Sequence, residues 1–216
     1  MNRTMVEVDK QILDSIIKEL RSKYECHTII LYGSRARGQT TPTSDYDVVG
    51  VCRHGKKTRI AKKQKGYYWD VFVYPEKDLR KLGDQHMSWK QAKILYANGP
   101  YGIRLLKRIE NLLKKPFKHH PQYEIDITKV WAQKELDRCR MKDTQGLYRR
   151  VEFHNALIDH YFLVRQKRFW GPKEGFAWMA KNDPKTFDLI KRALKSPSNL
   201  SFLKATASRV YKVKLD

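Results

Sequence analysis

A chain of 216 residues, 41% apolar and 12% aromatic, is long and apolar enough to bury a core in one large or two small domains, which excludes a disordered chain. No apolar run nears the roughly 20 residues of a membrane span, MNRTMVEVDK lacks a secretory stretch, and Cys26, Cys52 and Cys139 form no CxxC pair, so a cytoplasmic protein without a disulfide framework or zinc site is expected. The net charge of +22 divides into +12 over residues 1–115 and +10 over 116–216; it belongs to no basic tail and attracts polyanions such as triphosphates or RNA, unless the lysines only solvate the surface.

Residues 9–23 read as an amphipathic helix, with Ile12, Leu13, Ile16, Ile17 and Leu20 at helical spacing and Asp9 as its cap. Thr28 to Tyr32 is a short apolar run that stops at Gly33, the pattern of a buried strand. Tyr46 to Val51 and Tyr67 to Val73 are two further strands, and the basic stretch Arg53 to Lys65 between them reads as a solvated loop or short hairpin. A fourth strand, Ala92 to Tyr96, closes at the turn Asn98-Gly99-Pro100. A helix follows, carrying Ile103, Leu106, Ile109 and Leu113 on one face. Strand signals end at Pro116 to Pro121, and 128–141, 145–168, 174–181, 184–195 and 199–211 read as helices. Strands first and helices afterwards predict an α+β domain over 1–116 and a helical domain over 117–216.

Three features of the strand region carry chemistry. Gly33 lets the backbone turn at the end of a buried strand and approach a ligand without a Cβ in the way. A helix starting just after Ser34 would aim free N–H groups at a phosphate, with Arg35 and Arg37 adding charge. Asp45 and Asp47 stand two apart on a strand and project to one side, where a cation between them relieves their repulsion. Mg²⁺ takes one or two carboxylates plus substrate phosphates; the alternative is a polar strand edge facing water. Asp70 interrupts an apolar strand and needs a partner: a metal, an acceptor proton, or one of the chain's many Arg and Lys.

The run LYGSRARGQTTPTSDYDVV, followed by YWDVFV, resembles the nucleotidyltransferase superfamily built on the DNA polymerase β-type palm. GSRARG with SDYD is most similar to bacterial minimal nucleotidyltransferases and antibiotic (aminoglycoside and lincosamide) adenylyltransferases, over roughly residues 28–73. KILYANGPYGIRLL resembles the fourth strand and following helix of that group. The resemblance implies a small mixed-sheet palm followed by an all-helical domain that completes the acceptor pocket. It implies Mg²⁺, as two ions, on Asp45, Asp47 and Asp70, and ATP or another nucleoside triphosphate as donor. In that reading Gly33, Ser34, Arg35, Arg37, Ser44 and Lys173 contact the nucleotide. On the helix 145–168, Tyr148, Glu152, Asn155 and Asp159 form a polar stripe partly opposite Leu147, Val151 and Ile158. That stripe either faces solvent or faces the acceptor with Glu152 as general base. The expected reaction moves AMP to a hydroxyl of a small molecule and releases pyrophosphate. The alternatives are RNA or a partner protein as acceptor, as in antitoxins that modify their toxin, or a basic binding module without chemistry. Monomer and dimer both stay open.

Overall fold

A computed structural model describes residues 3–41 and 43–216, with side chains from Asp9 onward. The architecture is α+β, and the chain divides into two compact units, Met1–Lys115 and Pro116–Asp216.

In the first unit, helix α1 (Arg3–Tyr24) carries Ile12, Ile16 and Leu20 at four-residue spacing, each at most 1% exposed. They pack in one core with Ile29, Leu31, Tyr46, Val48, Trp69 and Val71, and each burial contributes about 1.5–3 kcal/mol. Asp9 does not cap this helix, because the helix begins at Arg3 and Asp9 falls in its second turn.

The described residues form a five-stranded sheet in the order β3-β4-β2-β1-β5. The strands are β1 (Thr28–Leu31), β2 (Tyr46–Cys52), β3 (Thr58–Gln64), β4 (Tyr67–Pro75) and β5 (Lys93–Ala97). β2 and β4 run parallel and the other pairs antiparallel, so the sheet is mixed. The α1 core covers one face. On the other, Ile30, Val49, Val51 and Tyr74 pack with Leu105 and Ile109 of α3 (Tyr101–Leu113). Strands covered on both faces read as continuous apolar runs, which is why β1 and β2 were visible in the sequence.

The basic stretch Arg53 to Lys65 is closer to the hairpin than to the solvated loop of the two readings, although its partner is the following strand. Most of it is the edge strand β3, joined to β4 through Lys65 and Gly66, both with positive φ (51° and 85°). Two left-handed residues are what a two-residue turn of type I′ requires.

The second unit holds α4 (Gln122–Arg138), α5 (Thr144–Val164), α6 (Pro172–Asn182), α7 (Pro184–Lys195) and α8 (Leu200–Tyr211). Its core gathers Phe153, Leu157, Tyr161, Met179, Leu203 and Tyr211. Side chains of Asp143, Asp183 and Asn199 accept backbone N–H bonds at the starts of α5, α7 and α8 and so fix where those helices begin. No helix among the described residues is long and apolar enough to cross a membrane.

Candidate active site

β1 delivers the chain to a turn that is tied to β2: the Tyr32 N–H donates to the Asp47 carbonyl at 2.9 Å. Gly33 then adopts φ +71°, and a Cβ built on it would stand 2.0 Å from Oδ2 of Asp47. The Asp47 carboxylate therefore occupies the space that any other side chain at position 33 would fill. The helix expected after Ser34 is one turn only, α2 (Gly33–Ala36), too short to sum peptide dipoles toward a phosphate. The turn offers close approach at Gly33 and the half-buried Ser34 instead of a helix end.

Arg35 does not present itself to a phosphate. Its side chain is 8% exposed; Nη1 donates to Asp9 at 2.9 Å, Nη2 to the Ser44 carbonyl at 2.8 Å and Nε to the Asp45 carbonyl at 3.1 Å. Its guanidinium lies 3.8 Å from the centre of the Tyr46 ring, whose hydroxyl also donates to Asp9. A buried guanidinium must satisfy its donors, and here they clamp the loop that leads into Asp45. Arg35→Met should cost about 2–3 kcal/mol in chemical denaturation. An unchanged midpoint with weakened triphosphate binding would return Arg35 to the ligand role. Ser44 likewise serves the loop, its hydroxyl accepting from the Thr41 N–H at 2.8 Å. Arg37 lies within 3.5 Å of Gln39 Oε1, and its charge reaches Asp47.

Asp47 on β2 is the register partner of Asp70 on the parallel strand β4, which puts both carboxylates on one face with Cα atoms about 5 Å apart. Asp45 is exposed just before β2. The Asp47 carboxyl is pushed up to about 6, first by burial, then by the charges of Asp45 and Asp70; Arg37 and Arg35 only partly offset this. A desolvated carboxylate with like-charged neighbours and all-oxygen donors is suited to a hard divalent cation. The expected three-carboxylate set, however, is not assembled. Among the described residues no group of three or more His, Cys, Asp or Glu is gathered to hold a metal. Asp70 is engaged by Arg59 of β3 through two parallel bonds, Nε to Oδ1 at 2.8 Å and Nη2 to Oδ2 at 3.0 Å. Arg59 was missed because β3 was missed: only the β3–β4 register brings it beside Asp70. Tyr32 was missed too. Its phenol is pushed upward by burial and then by the charges of Asp47 and Asp70.

Glu152 and Lys173 belong to the second unit. Glu152, on α5, accepts from Arg149 at 3.0 Å and hydrogen-bonds Tyr148; Lys173 is the second residue of α6. Tyr148, Asn155 and Asp159 are exposed and Glu152 is half-buried, as the solvent-facing reading of the stripe has it, with Leu147 and Val151 exposed beside them and Ile158 buried.

The sequence matches a family model described as a nucleotidyltransferase domain over residues 13–127, more than half of the chain. A solved nucleotidyltransferase-like protein from Exiguobacterium sibiricum is 14% identical and aligns over 94% of this chain and 74% of its own, with a TM-score of 0.41. A comparison with curated proteins found no match.

Proposed function

Because the chain belongs to the nucleotidyltransferase domain family, we propose that it moves a nucleoside monophosphate, AMP from ATP, onto an acceptor hydroxyl and releases pyrophosphate. One observation carries this reading: the half-buried Asp47 carboxylate packed against the bare Cα of Gly33, its proton affinity raised first by burial and then by Asp45 and Asp70. A structural carboxylate would be neutralised by a partner, whereas this one is left electrostatically hungry. Asp45 and Asp47 would hold Mg²⁺, which when bound neutralises charge building on the triphosphate and leaving pyrophosphate. Gly33 admits the phosphates to the backbone, Ser34 supplies a hydroxyl, and the Arg37 charge adds to the field.

The acceptor oxygen bonds to the α-phosphorus as the bond from that phosphorus to the β-bridging oxygen breaks. Pyrophosphate leaves with the electron pair, and the hydroxyl proton passes to a carboxylate. Asp70, beside Asp47, is the first candidate for that proton, and Arg59 fixes its orientation. Glu152 is the second, on the family resemblance alone. Asp70→Asn should slow transfer by about 10²–10⁴-fold while Mg²⁺–ATP affinity in calorimetry stays near wild type. If Glu152→Gln has that effect and Asp70→Asn only lowers the melting temperature, Asp70 is a structural partner of Arg59 and Glu152 is the base.

The reading as a whole is tested with α-labelled ATP, Mg²⁺ and pooled acceptors, following pyrophosphate release. No release above a blank, with no Mg²⁺-dependent ATP binding, would reject it. A basic binding module without chemistry is disfavoured by the intact acids. The sequence favoured a small-molecule acceptor over RNA or a protein; the charge beside Asp70 favours the nucleic acid.

A further inference from the structure

Strand order sets out the functional groups in a line across the sheet. The Gly33-Ser34 turn follows β1, Asp47 stands on β2, Asp70 on β4, and β3 lies beyond Asp70 at the edge. With the triphosphate over β1 and β2, as the nucleotidyl-transfer reading has it, the acceptor approaches over β4 and β3.

That side of the sheet has a definite chemistry. The β3–β4 register pairs Arg59 with Phe72, Ala61 with Asp70 and Lys63 with Tyr68, and opposed residues share a face. Asp70 is thus flanked by Arg59 and Phe72 on one side and by Lys63 and Tyr68 on the other. Cations lie on these rings: Arg59 is 5.1 Å from the centre of Phe72 and Lys63 is 5.1 Å from that of Tyr68. Lys57 is 4.8 Å from the centre of the Tyr74 ring. Tyr68 is 52% exposed, a large aromatic open to solvent beside the acids. Between Arg53 and Lys65 the chain has seven Lys and Arg and no Asp or Glu. Lysines on an edge strand also block edge-to-edge association. That purpose needs no exposed aromatic on the flat face next to Asp70.

We infer that the face carried by Lys57, Lys63 and Tyr68 binds the acceptor, and that the acceptor is a single-stranded nucleic acid whose terminal hydroxyl meets the acids. Lys57 and Lys63 take backbone phosphates, and as Lys63 swings off the Tyr68 ring to do so a base stacks in its place. The same bonds form and break in this transfer, pyrophosphate leaves, and the strand ends one nucleotide longer. A polycationic small acceptor would be repelled from the same surface. The inference rests on the nucleotidyl-transfer reading, and the test separates the two.

The probes are short fluorescent single-stranded RNA and DNA oligonucleotides, titrated across a salt series, with α-labelled ATP and Mg²⁺ added for transfer. Lys63→Ala should flatten the slope of log affinity against log salt by about 0.7, and Tyr68→Ala should weaken binding about tenfold. Tyr68→Phe should bind like the wild type, because stacking does not use the hydroxyl. Label should appear on the end of the RNA or DNA strand, and whichever accepts it names the acceptor. Unchanged binding in the Lys63→Ala, Tyr68→Ala double variant overturns the inference, as does label on a small molecule or a protein. Calorimetry of Mg²⁺–ATP runs in parallel: normal donor binding confines such a failure to the acceptor, while absent donor binding brings down both readings.

Discussion

Asp47→Asn is expected to melt at a higher temperature than the wild type at pH 7 in chelator, while losing about a thousandfold or more of its transfer activity. The two effects have one cause. The folded-state pKa of Asp47 lies near 6, against an ordinary value of 3.8. Between those values the folded protein holds a proton the unfolded chain has released, so stability falls as pH rises from about 4 to about 6. Above pH 6 the folded state carries the full cost of a desolvated charge beside Asp45 and Asp70. Asparagine has nothing to ionise and escapes that cost. After discounting for the partial exposure of Asp47, the gain is about 1 kcal/mol, or about 4 °C for a unit of this size. The difference should vanish below about pH 4, where the wild-type carboxyl is protonated in both states. Added Mg²⁺ should raise the wild-type melting temperature and leave the variant unmoved, a readout independent of any acceptor. The loss of activity reflects several kcal/mol of charge stabilisation that the amide cannot help to supply. A variant that melts lower than the wild type at pH 7 in chelator would mean that Asp47 is stabilising, and the site would have to lie elsewhere.

The central strands and their acids were legible because their signals are local. Ile29, Ile30 and Leu31 form an unbroken apolar run, and Asp47 and Asp70 interrupt such runs with a charge. The edge strand was not. Its alternation of exposed Arg59, Ala61 and Lys63 with half-buried Thr58, Ile60, Lys62 and Gln64 carries little hydrophobic contrast, since lysines stand on both faces. Lys62 is held on the α1 side by Glu19 at 2.5 Å, a partner 43 residues away that no window of sequence links to it. The surroundings of Arg35 are hidden from the sequence for a similar reason. Arginine after Gly-Ser resembles a phosphate ligand, and only the fold brings Asp9 and the Ser44 carbonyl around it. Net charge was visible as a total, whereas its placement beside Asp70 depends on the β3–β4 register.

Gly33→Ala is expected to lower transfer by about 100-fold or more, with a stability loss that depends on what stands at position 47. Two costs separate. Alanine at φ +71° carries about 1–2 kcal/mol of left-handed strain whatever its surroundings. Its Cβ also meets Oδ2 of Asp47 at 2.0 Å, so the carboxylate has to rotate away from the turn. A short carboxylate can move, which is why the protein should still fold. The displaced carboxylate is one of the two proposed to hold the cation, and a displacement of about 1 Å at a reacting centre costs about 100-fold. A double-mutant cycle isolates the collision. In an Asp47→Ala background the carboxylate is gone and only the Cβ of residue 47 stays close, at 3.1 Å, so Gly33→Ala should cost its backbone strain and little more. The difference between the two backgrounds is the coupling between turn and carboxylate. Urea denaturation gives the stability arm, and Mg²⁺–ATP calorimetry gives the affinity arm in the single variants. Strictly additive stability costs together with wild-type donor affinity in Gly33→Ala would mean that the turn and Asp47 act independently. The phosphate-binding role of Gly33 would then be withdrawn.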